Sequence, residues 1–131
     1  MKKLNFDSLR LAILQLEKGL KESGMDPQNE LMRDGVIQRF EYTMDLAWKM
    51  MQRYLKTIQS DESVIRSKND LFREMERIKI INNAESWIGY YSARNETSHD
   101  YDTKKADLVY QQVHPFLSEV KNLLETLIHA H

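Results

Sequence analysis

The chain is predicted to be all-α, an up-and-down antiparallel four-helix bundle built from about five helices. Apolar residues recur at steps of three and four along most of the chain, the period of a helix with one buried face. No segment alternates apolar and polar residues over a strand's length, so no strand pattern competes. Only four Gly and two Pro occur, too few punctuators for a chain with many tight turns.

Helix one is expected over about Phe6 to Ser23. Leu9, Ile13, Leu16 and Leu20 form its inward stripe, Asp7 or Asn5 caps its start and Gly24 ends it. Residues Met25 to Asn29 make the connection. Helix two is expected over about Glu30 to Gln59, with Val36, Phe40, Met44, Ala47, Met51, Leu55 and Ile58 in one stripe, widened by Ile37 and Trp48. Thirty helical residues span roughly 45 Å, so this helix sets the long axis. Trp48 is expected in the core, against the first and last helices. Glu41, Asp45 and Lys49 lie four apart on another face and read as a solvated ion ladder.

Ser60 to Asn69 is polar and expected to be irregular. A short helix over about Asp70 to Ile80 turns Leu71, Met75 and Ile78 inward, and Asn82-Asn83 breaks it. A second short helix runs from Ala84 to about Thr97 with Trp87, Ile88 and Tyr91 apolar. The last begins near Lys104 with the stripe Leu108, Val109, Val113, Phe116, Leu117, Val120, Leu124 and Leu127. Pro115 lies inside it and should kink it or mark a break near His114. The short pair is expected to supply the fourth column of the bundle.

Composition narrows the function classes. The 131 residues are 41% hydrophobic and 30% charged, enough for both a core and a wetted outside. The absence of Cys excludes a disulfide framework, a thiolate zinc site and a cysteine nucleophile, and fits a reducing cytosol. No apolar run follows the basic N-terminus, so neither a signal peptide nor a membrane span is expected. A net charge of −1 confines any nucleic-acid contact to a local patch. There is no Gly-rich phosphate loop, Gly-x-Ser-x-Gly elbow or His-Glu-x-x-His, and no two Glu-x-x-His motifs on facing helices as a di-iron bundle needs, so neither a metal nor a cofactor is expected. His129-Ala130-His131 is expected to fray.

Chemistry concentrates in the thirteen residues from Tyr90 to Asp102, where a helix gives way to a loop. They include Arg94, Asn95, His99 and Tyr101. Arg holds phosphate with a planar fork of donors, and His moves a proton near neutral pH. Together these are parts for metal-free phosphodiester cleavage. The same residues also suit a helix C-terminus, with Ser98 and Thr97 as caps, Arg94 and His99 on the dipole and Tyr101 packed. Arg94 and His99 are five residues apart, about 140° around an ideal helix. They meet over one phosphate only if the helix ends between them or a second chain contributes.

Arg94-Asn95 followed by His99 and Tyr101 resembles the Arg-x4-His-x-Tyr motif of HEPN toxins encoded beside a minimal nucleotidyltransferase. Residues 33–42, with Asp45-Leu46-Ala47-Trp48-Lys49, resemble the signature helix of the nucleotidyltransferase substrate-binding protein family, and residues 94–99 its second signature. The resemblance covers nearly all of residues 1–131 as one HEPN-like helical domain. It implies a cytoplasmic bundle that homodimerises and pairs with a separately encoded minimal nucleotidyltransferase. Two roles follow from it. One is a toxin, a metal-independent endoribonuclease with Arg94, Asn95 and His99 catalytic, silenced by AMP transfer to Tyr101. The other is a non-catalytic substrate-binding subunit. Asp100, Asp102 and Glu96 are departures that set carboxylates beside any phosphate.

Overall fold

A computed structural model describes residues 4–58, 65–97 and 102–131. Five helices follow in order: α1 Asp7–Gly24, α2 Glu30–Thr57, α3 Lys68–Arg77, α4 Ala84–Glu96 and α5 Thr103–Ala130. No strand occurs among the described residues. α1 and α2 form the principal hairpin, and α5 packs against both. α3 and α4 pair with each other, and each also contacts α2, while α4 leans on α5. The short pair thus fills the fourth column.

Each start except the first has a side-chain cap. Asn29, Ser67, Asn83 and Asp102 accept from the backbone N–H three residues on. At α1 the Asn5 side chain instead accepts from Asp7 N–H, one step outside the helix. Gly24 closes α1 without left-handed backbone, since no glycine has positive φ among the described residues.

The end of α3 has a different device. Ile80 N–H bonds Met75 C=O at 2.8 Å and Lys79 N–H bonds Glu76 C=O at 3.0 Å, the two bonds of a Schellman cap. Lys79 takes the left-handed residue at φ 65°, and Ile80 is buried. An L side chain there costs roughly 1–2 kcal/mol. Lys79→Gly, partly offset by a freer unfolded chain, should stabilise by about 0.5–1 kcal/mol. A shift of the urea midpoint at constant slope measures it.

The stripes of α1, α2 and α5 meet in one hydrophobic cluster. Phe40 of α2 meets Phe116 of α5 edge-on at 4.9 Å. Phe116 also contacts Trp87 and Tyr90 of α4 at 5.6 and 5.5 Å. Phe72 of α3, absent from the expected stripe, is wholly buried beside Trp87. At Gly19 the first two helices come close: an added Cβ would lie 2.9 Å from Arg39 Nη1, which is held by the Gln15 carbonyl at 2.8 Å.

Several expectations need correction. Trp48 is only half-buried rather than central. Ile58 and Leu108 are 43% and 55% exposed. Ile58 lies past the last turn of α2, and Leu108 points away from the seam that Val109 and Val113 fill. α5 continues through Pro115 without a break. The carbonyl that Pro115 cannot satisfy belongs to Gln111, and both residues are exposed, so water can take the place of the lost bond. The C-terminus is tied down rather than frayed. His131 Nε2 accepts from Leu4 N–H at 2.9 Å, its ring edges onto Phe6, and His129 Nδ1 bonds the Glu125 carbonyl. No helix among the described residues is long and apolar enough to cross a membrane.

Candidate functional site

Arg94 sits in the last turn of α4, where Thr97 Oγ1 caps its carbonyl at 2.7 Å. Its side chain reaches across to α2. Nε and Nη2 each donate to one oxygen of Asp45 at 3.1 Å, a bidentate fork. Nη1 lies 3.6 Å from Glu41 Oε2. The hydrogen bonds to Asp45 hold the guanidinium's pKa above its ordinary value against the opposing effect of partial burial, and the charges of Asp45 and Glu41 add to it. Glu41 and Asp45 are therefore half-sheltered partners of Arg94, not a solvated ladder. Sequence reasoning missed this role. The only signal was two acids four apart beside the apolar stripe, with a tryptophan three further on.

That tryptophan joins the same network. Trp48 Nε1–H donates to Asp45 Oδ1 at 3.4 Å, the oxygen that also accepts from Arg94 Nε. The Lys68 ammonium of α3 lies over the indole, 3.9 Å from the ring centroid, and Lys49 stands 5.6 Å away. Asn95 is exposed on the turn beyond Arg94 and points to none of these groups through a hydrogen bond. His99 and Tyr101 lie outside the described residues, as do Ser98 and Asp100. Asp102 caps α5.

The two tyrosines of α4, Tyr90 and Tyr91, are structural. Tyr90 is buried and donates to Glu119, and burial first, then this bond, pushes its hydroxyl pKa far above normal. Tyr91 edges onto Phe72. Much of the first signature is also structural. Arg33 joins Asp34 and, at 3.2 Å, Asp107 of α5, so it staples two helices. On the opposite face of α4, a cavity of about 390 Å³ opens toward α5, lined by Gly89, Ser92, Glu96, Lys105 and the exposed Leu108 among others. Among the described residues no group of His, Asp and Glu could hold a metal ion.

Residues 4–129 match the family model for nucleotidyltransferase substrate binding protein like sequences. The chain belongs to this family. It is 36% identical to a Haemophilus influenzae protein named probable ribonuclease HepT, over 95% of this chain and 92% of that one. A solved Haemophilus influenzae structure superposes with a TM-score of 0.83 at 34% identity, covering 94% of this chain and 98% of that one. That structure was described as showing the fold of a substrate binding domain of a nucleotidyltransferase. A Thermus thermophilus structure at 23% identity shares the fold, with a TM-score of 0.76 over 91% of this chain and 98% of that one. Family membership implies a nucleotidyltransferase as the working partner.

Proposed function

We propose that this chain is the metal-independent endoribonuclease of a toxin–antitoxin pair, held in check by its nucleotidyltransferase. The observation that carries the reading is the bidentate anchoring of Arg94 on Asp45 at the end of α4. Two of the guanidinium's N–H groups are committed to Asp45, leaving donors on Nη1 and Nη2 for a phosphate. A cation aimed in advance at a developing phosphorane charge stabilises the transition state without reorganising. Asn95, exposed one residue on, can orient the phosphate.

His99 follows Arg94 by five residues in the sequence. As general base it removes the 2′-OH proton of RNA. The 2′-oxygen then bonds to phosphorus, and the bond to the 5′-oxygen breaks with a proton returned to the leaving group. A 2′,3′-cyclic phosphate and a 5′-hydroxyl result. In the silenced state the partner enzyme joins the AMP phosphorus of ATP to the Tyr101 oxygen and releases pyrophosphate. The added phosphate carries negative charge, which opposes the binding of RNA. The relative named a probable ribonuclease supports this reading.

A homodimer forms part of the proposal. The large side chains on α2 and around Trp87 that first suggested one are consumed by the core, where Trp87 is 1% exposed. The support is instead the open cavity on the outer face of α4 with Leu108 at its rim. Leu108→Glu should shift sedimentation from dimer to monomer at micromolar concentration. A monomeric parent protein would remove this part of the proposal.

One observation favours the second role, a non-catalytic substrate-binding subunit. Arg94 already faces two carboxylates, so its charge is spent before an anion arrives. RNA cleavage by the purified chain in chelator decides between the two. The ribonuclease cleaves, and His99→Ala abolishes cleavage. A pure chain that cuts no RNA leaves the subunit role. Tyr101→Phe should block AMP incorporation by the partner while cleavage continues.

A further inference from the structure

We propose that Trp48 is a stacking platform for the nucleobase next to the phosphate bound at Arg94, with Lys68 as its displaceable cover. This rests on the ribonuclease reading and adds a binding subsite to it. Four observations converge. Trp48 is only half-buried, whereas Trp87, the chain's other tryptophan, is enclosed. One ring face is occupied by an ammonium, 3.9 Å from the centroid, not by core side chains. Lys68 and Lys49 make no ion pair among the described residues, so both are available to phosphate. Finally, Asp45 Oδ1 accepts from both the indole and Arg94, at 3.4 and 3.1 Å, which fixes the platform beside the phosphate-binding group.

The exchange of Lys68 for a base is favourable. An exposed ammonium over an indole contributes roughly 2- to 5-fold in an equilibrium constant. A stacked base contributes roughly 5- to 150-fold. Lys68, once released, keeps its charge and is a flexible point cation suited to the strand's backbone. The subsite selects single-stranded RNA, whose bases are free to stack, over a closed duplex.

The test uses the full-length His99→Ala protein, titrated with a 12-nucleotide single-stranded RNA at low salt. Trp48 fluorescence should be quenched on binding, and the signal should be absent from a Trp48→Phe, His99→Ala protein, in which only the buried Trp87 remains. In the cleaving protein, Trp48→Leu should raise KM about 10-fold or more with kcat changed less than 3-fold. Trp48→Phe, which keeps an aromatic face, should recover most of that loss. Lys68→Ala should lower the salt slope of binding by about one. Cleavage by the parent protein with no quenching and an unchanged KM in Trp48→Leu would overturn the subsite alone. Absence of both cleavage and RNA binding overturns the ribonuclease reading with it. Quenching by AMP as tight as by the oligonucleotide would overturn the strand assignment in favour of a free nucleotide.

Discussion

Trp87→Ala should cost about 3–5 kcal/mol of unfolding free energy, the range for emptying a large aromatic from a core. Trp87 is 1% exposed and touches three rings: Phe72 at 5.9 Å, Tyr90 at 6.0 Å and Phe116 at 5.6 Å. These belong to α3, α4 and α5, so its side chain is where the short pair joins the long helices. The rings around it are held by their own helices and cannot close the space, which is why the cavity part of the cost persists. Trp48→Ala should cost only about 1–2 kcal/mol, because that indole is only partly buried at the edge of the core and one of its contacts is a cation–π contact with Lys68. Urea titrations of both variants, compared at constant slope, measure the difference. Equal losses would mean that Trp48 is as deeply packed as Trp87.

The contrast between the two tryptophans also marks how far the sequence could be read. Long helices with repeated stripes were legible, because each wrong register would expose a whole face. α1, α2 and α5 therefore begin within two residues of their expected starts. Asn83 was legible as a breaker because its side chain caps the next helix. Single residues at stripe edges were not. Trp48 follows Ala47 by one position, about 100° round the helix, and periodicity cannot say whether a neighbouring helix covers that angle. Phe72 was missed for the converse reason: α3 has barely three turns, too few to define its face. The motif singled out Arg94 and Asn95 as candidates, but it could not show the partners of Arg94. Glu41 and Asp45 carry no local mark that separates a surface ladder from a clamp on another helix 49 residues along the chain.

Arg94 is expected to show the largest functional effect. Arg94→Lys keeps the charge but loses the planar fork, so it can neither stay bidentate on Asp45 nor present paired donors to phosphate. Cleavage should fall by about 10²–10³ in kcat, as when one preorganised donor to a transition-state anion is lost. Arg94→Ala should cost about 1–2 kcal/mol of stability as well, because Asp45 and Glu41 would face each other one helical turn apart without their cation. This exceeds the near-zero change expected for an exposed helix-end residue. A cycle with Asp45→Ala separates clamp from chemistry. The paired loss should fall short of the sum of the single losses by about 1 kcal/mol, the sign of a direct contact. Asp45→Asn keeps one acceptor and nearly the same shape, yet drops the charge that orients the fork. If Arg94 works on phosphate, Asp45→Asn should lower kcat well below what its small stability loss explains. If Arg94 only pins α4 to α2, the stability coupling should remain while RNA cleavage in Asp45→Asn stays at the parent rate. The clamp would then be structural, and the catalytic assignment of Arg94 would fall with it.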